Sequence, residues 1–273
     1  MKSIALFHFH QHLPLCAARI ALLRQLNPTF EIHGLFGGSP EHLADALTLA
    51  SELASFFHDD NVAPSWNKWK STDRAVARWY SHRGHALAFD RVHVIQWDLL
   101  FFQPLAQAYA SLPENAVWLS GLIPLSEVEP FWDWTAREPL RSESLRLLAV
   151  ARERFNYKHE PFACVGPGYS LPREFLARYA ALGLEDLGHD ELRLPLFGQI
   201  LGFPCVDTGF YRWRDPRVQR LFNADAVEIE PQAMAAELAS PRGRRVFHPC
   251  RERYDAARIQ SLTAATVSKE SLF

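Results

Sequence analysis

Side chains with types and spacings suited to chemistry fall into four groups. Gln96-Trp97-Asp98 follows an apolar run containing Val92, Val94 and Ile95 and precedes a second apolar run over residues 99–102. An acid at the carboxyl end of a buried strand stands where open α/β sheets bind ligands, so Asp98 could hold a metal ion or a metal-bound diphosphate. It could equally close the strand into a turn. His189-Asp190-Glu191 precedes the apolar set Leu196, Phe197, Ile200 and Leu201. Carboxylates at a helix N-terminus are stabilised there and can serve as general bases or as plain caps. Trp66, Lys68, Trp69 and Lys70 stand ahead of a helix whose first turn holds Asp73. Rings and cations of that kind can stack a base and pair with a diphosphate, or plug the helix against a sheet. The fourth group is the basic stretch 242–248, which ends in His248 before Pro249.

Hydrophobic periodicity supplies the elements that position these groups. Residues 4–9 read as a strand, residues 15–26 as a helix, and residues 31–36 as a second strand broken by Gly37-Gly38-Ser39-Pro40. Residues 41–57 carry helical spacing, so two βα units follow one another and predict a parallel sheet. His8, His10 and His12 alternate and would share one strand face, as a metal site or as polar strand-end residues. A helix opens at Ser71 or Thr72, and a strand covers residues 116–123. Residues 124–139 form a proline-punctuated loop with Phe131, Trp132, Asp133 and Trp134, suited to a sugar platform or to a satellite core. A helix is expected over 143–154, then a strand over 162–168 running into a Gly-Pro-Gly turn, a helix from Pro172 to Gly183, and a strand over 203–207. Pro195 leaves two choices for the acidic pair: a helix that starts near Pro195, or a helix that starts earlier with a distorted first turn.

Length and composition bound the rest. At 273 residues with 48% hydrophobic content, the chain can bury a full core, and it reads as one domain over 1–273. Within it, the family resemblance of these motifs implies a nucleotide-binding half over residues 1–105 and an acceptor and catalytic half over residues 106–250, with residues 251–273 a tail of unclear course. A net charge of −2 and a pI near 6.6 argue against a general nucleic-acid binder. Cys16, Cys164, Cys205 and Cys250 are widely spaced, with no CxxC pair, which fits a reducing cytosol and neither a zinc knuckle nor a disulfide framework. No apolar run approaches a membrane span, and residues 1–20 lack the pattern of a signal peptide. A cytoplasmic protein is expected, with membrane contact at most peripheral.

Taken in order, these motifs resemble the nucleotide-sugar-dependent glycosyltransferases of the GT-A fold, in a bacterial-type form with a degenerate DxD motif. The likeness rests on the Asn/Trp/Lys loop and helix before QWDLLFF, the GPG turn, the acidic pair opening a helix that ends in LGF, and the late FHP. It spans roughly residues 4–249. It implies an α/β fold with a Rossmann-like, mostly parallel central sheet flanked by helices. It also implies a nucleotide-diphosphate sugar donor, a divalent metal (manganese or magnesium), and an acceptor hydroxyl on a glycan, a lipid-linked sugar or a small molecule. Carried over, Asp98 corresponds to the metal-binding acid, His248 to the late metal ligand, and Glu191 or Asp190 to the base of inverting members. Trp69, Lys70, Asp73, Trp97 and Asp98 would then hold the donor, and Lys68, Lys70 or the arginines of 242–245 would steady the leaving diphosphate. Gln96 stands where the first acid of DxD would be, so the metal should bind weakly without the diphosphate as co-ligand. Two rivals share much of this pattern. A sugar nucleotidyltransferase would need a Gly-rich phosphate loop where FHFHQHLP stands, and a non-catalytic nucleotide-sugar binding module would tolerate Gln96.

Overall fold

The computed structural model of the chain describes residues 1–60, 70–225 and 227–254. Strands β1 (Ser3–Phe9), β2 (Ile32–Phe36), β3 (Ser55–His58), β4 (Arg91–Gln96), β6 (Val117–Pro124), β7 (Phe162–Pro172) and β8 (Cys205–Asp207) form a seven-stranded sheet in the order β3-β2-β1-β4-β7-β6-β8. All pairings are parallel except those of β7, which runs antiparallel to both β4 and β6. A second, two-stranded sheet pairs β5 (Leu100–Phe101) with β9 (Val246–Phe247). The chain is thus an α/β protein with a mostly parallel central sheet flanked by helices, as the sequence led one to expect.

The central strands are buried on both faces, as parallel strands covered by helices must be. Along β1, Ile4 and Leu6 enter one core, while Ala5, Phe7 and Phe9 enter the other. The first core is covered by α2 (Thr72–His82), α3 (Leu140–Phe155), α4 (Arg173–Ala181) and α5 (Asp190–Ile200), and the second by α1 (Leu13–Leu26). Helix α6 (Pro231–Ala239) packs on the β5–β9 ribbon through Met234. Arg91 opens β4 fully buried, donating to the Glu114 and Ala116 carbonyls and lying 3.5 Å over the Trp118 ring. A charge there is tolerable because both Nη atoms find acceptors, Nη1 in the Ser170 hydroxyl and Nη2 in the two carbonyls, and the guanidinium lies on a ring.

Two stretches depart from the sequence reading, and a third settles a choice that it left open. Residues 41–57 do not form one helix: short turns at Pro40–His42, Leu43–Ala46 and Leu47–Glu52 lead into β3. Phe56 and Phe57 send their rings to opposite cores, so period-two burial against β2 prevails over the helical spacing. The Gly-Pro-Gly stretch does not end its strand. β7 runs through it with register shifts against β6, and Gly168 (φ +79°) and Gly121 (φ +62°) take left-handed conformations that re-aim the backbone. Finally, α5 starts at Asp190 and carries Pro195 inside it, so the early start is the one adopted. Trp66, Lys68 and Trp69, and residues 255–273 of the tail, lie outside the described residues. No helix among the described residues is long and apolar enough to cross a membrane.

Candidate active site

The carboxyl ends of β1 and β4, the irregular part of β7 and the N-terminus of α5 open onto one cleft of about 760 Å³. Asp98 and His248 meet in it because of the small ribbon. Leu100 of β5 pairs with Phe247 of β9, which brings the loop just before β5 beside the residue just after β9. The Asp98 carbonyl also accepts from the Cys250 N–H at 2.8 Å. His248 Nε2 then lies 3.5 Å from Asp98 Oδ1, and its Nδ1 lies 2.7 Å from the Asn223 carbonyl. A carbonyl only accepts, so Nδ1 carries a proton and Nε2 is the atom turned to Asp98. Burial would raise the Asp98 pKa, but His248 and Arg251 beside it hold the carboxyl below its usual range.

Gln96 has a different task from the acid it replaces. Its Nε2 donates to the Gly166 carbonyl at 3.3 Å and its Oε1 accepts from the Gly168 N–H at 3.1 Å. The side-chain amide therefore pairs with β7 where the strand is irregular. The Gly166 N–H, on the same residue, donates to Glu191 Oε1 at 2.7 Å, and Trp134 Nε1 donates to Glu191 Oε2 at 2.5 Å. Burial pushes the Glu191 pKa up, opposed by these two donors and by His189. A carboxylate with a raised pKa and fixed orientation, facing a cleft, has the properties of a general base.

The turn that presents Glu191 is built around a missing bond. Pro195 has no N–H for the Glu191 carbonyl four residues back, and the Cys164 thiol takes that place at 3.2 Å. Burial raises the Cys164 pKa well above that of a free thiol, so it remains a donor. At the helix start His189 caps the Glu191 N–H through Nδ1 at 3.2 Å and stacks on Trp134 with ring centroids 4.0 Å apart at 7°. Burial drives its pKa down to about 4, which leaves a neutral ring.

Asp190 Oδ1 lies 2.9 Å from that same Nδ1 and receives no proton from any described group. Burial and then Asp73 raise the Asp190 pKa well above the carboxylate range. The two members of the pair therefore differ in setting: Asp190 lies beside Asp73 and His189 with no hydrogen donated to its Oδ1, whereas Glu191 is held by two N–H donors.

The other sequence candidates divide. Trp97 lines the cleft, but His12 stacks on its ring at 4.9 Å and His10 meets it edge-on at 5.9 Å. Lys70 and Asp73 are turned into the protein. Lys70 pairs with Glu143, while Asp73 accepts from Arg193 Nε at 2.8 Å and Nη2 at 2.7 Å and from the Tyr179 hydroxyl. Arg244 and Arg245 of the basic stretch also serve the fold. Arg244 donates to the Phe210 carbonyl and Arg245 to the carbonyls of Glu237 and Ser240 near the end of α6. The cation that lines the cleft among the described residues is Arg251, which sequence reasoning missed. His8 and His10 line it as well, and burial lowers the His8 pKa to about 3. Among the described residues no group of three or more His, Cys, Asp or Glu is arranged to hold a metal, the alternating histidines included. Two signals were readable in advance: a proline four residues after Glu191 announces an orphan carbonyl, and a Gln in place of an acid announces a need for a donor.

No protein-family model and no curated protein sequence matches the chain. In structure it is similar to mouse xyloside xylosyltransferase 1 in its apo form, at 12% identity over 75% of this chain and 84% of that one, with a TM-score of 0.41. It is also similar to the apo structure of the WbbM bifunctional glycosyltransferase, at 10% identity over 96% of this chain, with a TM-score of 0.43. The chain spans about half of that second protein, 49% of its length.

Proposed function

We propose that the chain is a glycosyltransferase that moves a sugar from a nucleotide-diphosphate donor to an acceptor hydroxyl, with inversion at the transferred carbon. One observation carries the reading: the Asp98–His248 pair, 3.5 Å apart, and Glu191, held by Gly166 and Trp134, open onto the same cleft. Glu191 takes the proton from the attacking hydroxyl. Trp134 and Gly166 keep both carboxylate oxygens in place and favour the charged form that a base requires. His189 holds the first turn of the helix in register with Trp134. On the donor side, residues 1–105 supply Trp97 and Asp98, with Arg251 next to Asp98 to meet negative charge on the diphosphate.

Asp98 Oδ1 and His248 Nε2 fit a divalent cation. The Nδ1–carbonyl contact of His248 is the outer-shell bond that orients a ligating histidine. Two protein ligands leave most of an octahedral shell open, so donor oxygens must complete it. Manganese or magnesium bound there would neutralise the charge that grows on the departing diphosphate.

A second reading, a binding module without turnover, is favoured by Gln96, whose amide is committed to β7. A panel of nucleotide sugars, incubated with the protein with and without manganese, separates the two. Slow donor hydrolysis or transfer that depends on Glu191 supports the enzyme. Saturable nucleotide binding with no turnover in any condition replaces it with the module.

A further inference from the structure

One wall of the cleft is aromatic, formed by Phe131, Trp132, Trp134, Tyr211 and Trp213. Trp132 and Tyr211 meet Trp213 edge-on, with ring centroids 6.0 Å and 5.3 Å away. Three polar handles of this wall are already engaged. Trp213 Nε1 donates to the Gly121 carbonyl at 2.6 Å, Trp134 Nε1 donates to Glu191, and Gln219 Nε2 donates to the Tyr211 hydroxyl at 3.2 Å. Rings fixed in this way offer a ligand mainly their apolar faces and edges. Phe131 at the lip is 60% exposed, one of the few large apolar side chains left open to solvent.

Position and charge narrow what fits. Glu191 divides the cleft: its Oε1 is tied through Gly166 to Gln96, beside Asp98, and its Oε2 is tied to Trp134. A hydroxyl that reaches Glu191 from the side away from Asp98 therefore comes across the aromatic wall. On that wall stand Asp133, which Arg137 pairs at 3.1 Å, and Asp225, whose charge joins burial and Glu191 in raising the Tyr211 pKa. Arg251, the cation lining the cleft among the described residues, belongs to the Asp98 side. An anionic acceptor such as a lipid phosphate or a uronic acid would meet the Asp225 and Glu191 carboxylates there.

We infer that the wall is an acceptor subsite for an uncharged pyranoside, whose apolar face stacks on Phe131 and Trp213 while its reacting hydroxyl points to Glu191. This rests on the glycosyltransferase reading above and adds to it the substrate class and the side of the cleft. The test uses the full chain and tryptophan fluorescence, with methyl gluco-, galacto- and mannopyranoside as neutral probes and methyl glucuronopyranoside as the anionic one. Saturable quenching by at least one neutral probe is expected, weaker by about 5- to 10-fold in Phe131→Ala, restored in Phe131→Tyr, and weaker for the glucuronide. The inference is overturned if no neutral pyranoside quenches, if the glucuronide binds as tightly as its neutral counterpart, or if Phe131→Ala changes nothing. Titrating the unaltered chain with a nucleotide diphosphate keeps the two ideas apart. Pyranoside binding without nucleotide binding removes the transferase and leaves the sugar site, whereas nucleotide binding with any of the overturning results removes only the acceptor assignment.

Discussion

Neighbouring carboxyl groups behave differently at this site because their surroundings differ. Glu191 has two N–H donors, and Asp190 has an ionised neighbour in Asp73 and a neutral histidine. Replacing Glu191 by Gln should cut turnover by about 10²- to 10⁴-fold, with nucleotide affinity retained, in single-turnover assays. Near-normal turnover in that variant would remove Glu191 from the chemistry. Because burial raises the Glu191 pKa, the acid limb of kcat/KM should lie above the ordinary glutamate value of 4.5. Trp134→Phe deletes a donor that favours the charged form, so the limb should move to still higher pH; a limb that stays put or moves down contradicts the assignment. Asp190 calls for a stability measurement. Its folded pKa is raised, so its contribution is complete below the unfolded value of 3.8 and is lost as pH rises toward the folded value. Asp190→Asn keeps the shape without that loss. Its melting temperature should therefore gain on the parent's as pH goes from 4 to 8, and a constant difference would mean that Asp190 ionises normally.

At the scale of elements, the N-terminus of α5 is fixed from two sides. Arg193, fully buried, reaches from α5 to Asp73 in the first turn of α2 and to the Leu187 and Gly188 carbonyls. Asp73→Ala would strand that guanidinium, and urea unfolding should show a loss of about 3–5 kcal/mol. A sequence reading that gives Asp73 to the nucleotide predicts a binding defect with normal stability instead. Cys164 and Pro195 form the other support, and a double-mutant cycle tests it. Cys164→Ala should cost about 1–3 kcal/mol alone, by leaving the Glu191 carbonyl unpaired. It should cost much less in a Pro195→Ala background, where residue 195 regains the N–H that the carbonyl lacks. Equal costs in both backgrounds would show that the thiol and the proline are independent. Gln96 belongs here too. An acid at that position would lose the donor to Gly166, so Gln96→Asp should loosen β7 rather than simply add a metal ligand.

Across the whole molecule, buried histidines link the fold to pH. His93 is 2% exposed in the second core, stacked on Tyr109 with centroids 4.7 Å apart, and burial lowers its pKa to about 3. A histidine with a depressed folded pKa gives full stability above its unfolded value of 6.5, and that stability is lost as pH falls toward the folded value. The loss from this residue between pH 6.5 and 5 is about 2 kcal/mol. His93→Phe fills a similar volume with nothing to protonate, so its thermal stability should fall less than the parent's over that range. Parallel curves for the two proteins would place the acid sensitivity elsewhere.

The sequence by itself determined the class of the fold and marked Asp98 and Glu191, which the structure brings to one cleft. Runs such as Val92–Val94–Ile95 are apolar on both faces of a strand, which only a covered, mostly parallel sheet can accommodate, and Asp98 and Glu191 stand at element ends where local pattern is informative. His248 was readable as a candidate only by its place late in the chain. What the tertiary structure decided was partnership. Whether Lys70, Asp73 or Arg244 faces a ligand depends on which distant carboxylate, guanidinium or carbonyl it meets, and Glu143, Arg193 and Phe210 are far from them in sequence. The same holds for Gln96, which looked like a lost acid and proved to be bonded to β7. Periodicity reports which face of an element is buried; it carries no information on the long-range contact that satisfies a buried charge, and that contact decides which polar residues are left to do chemistry.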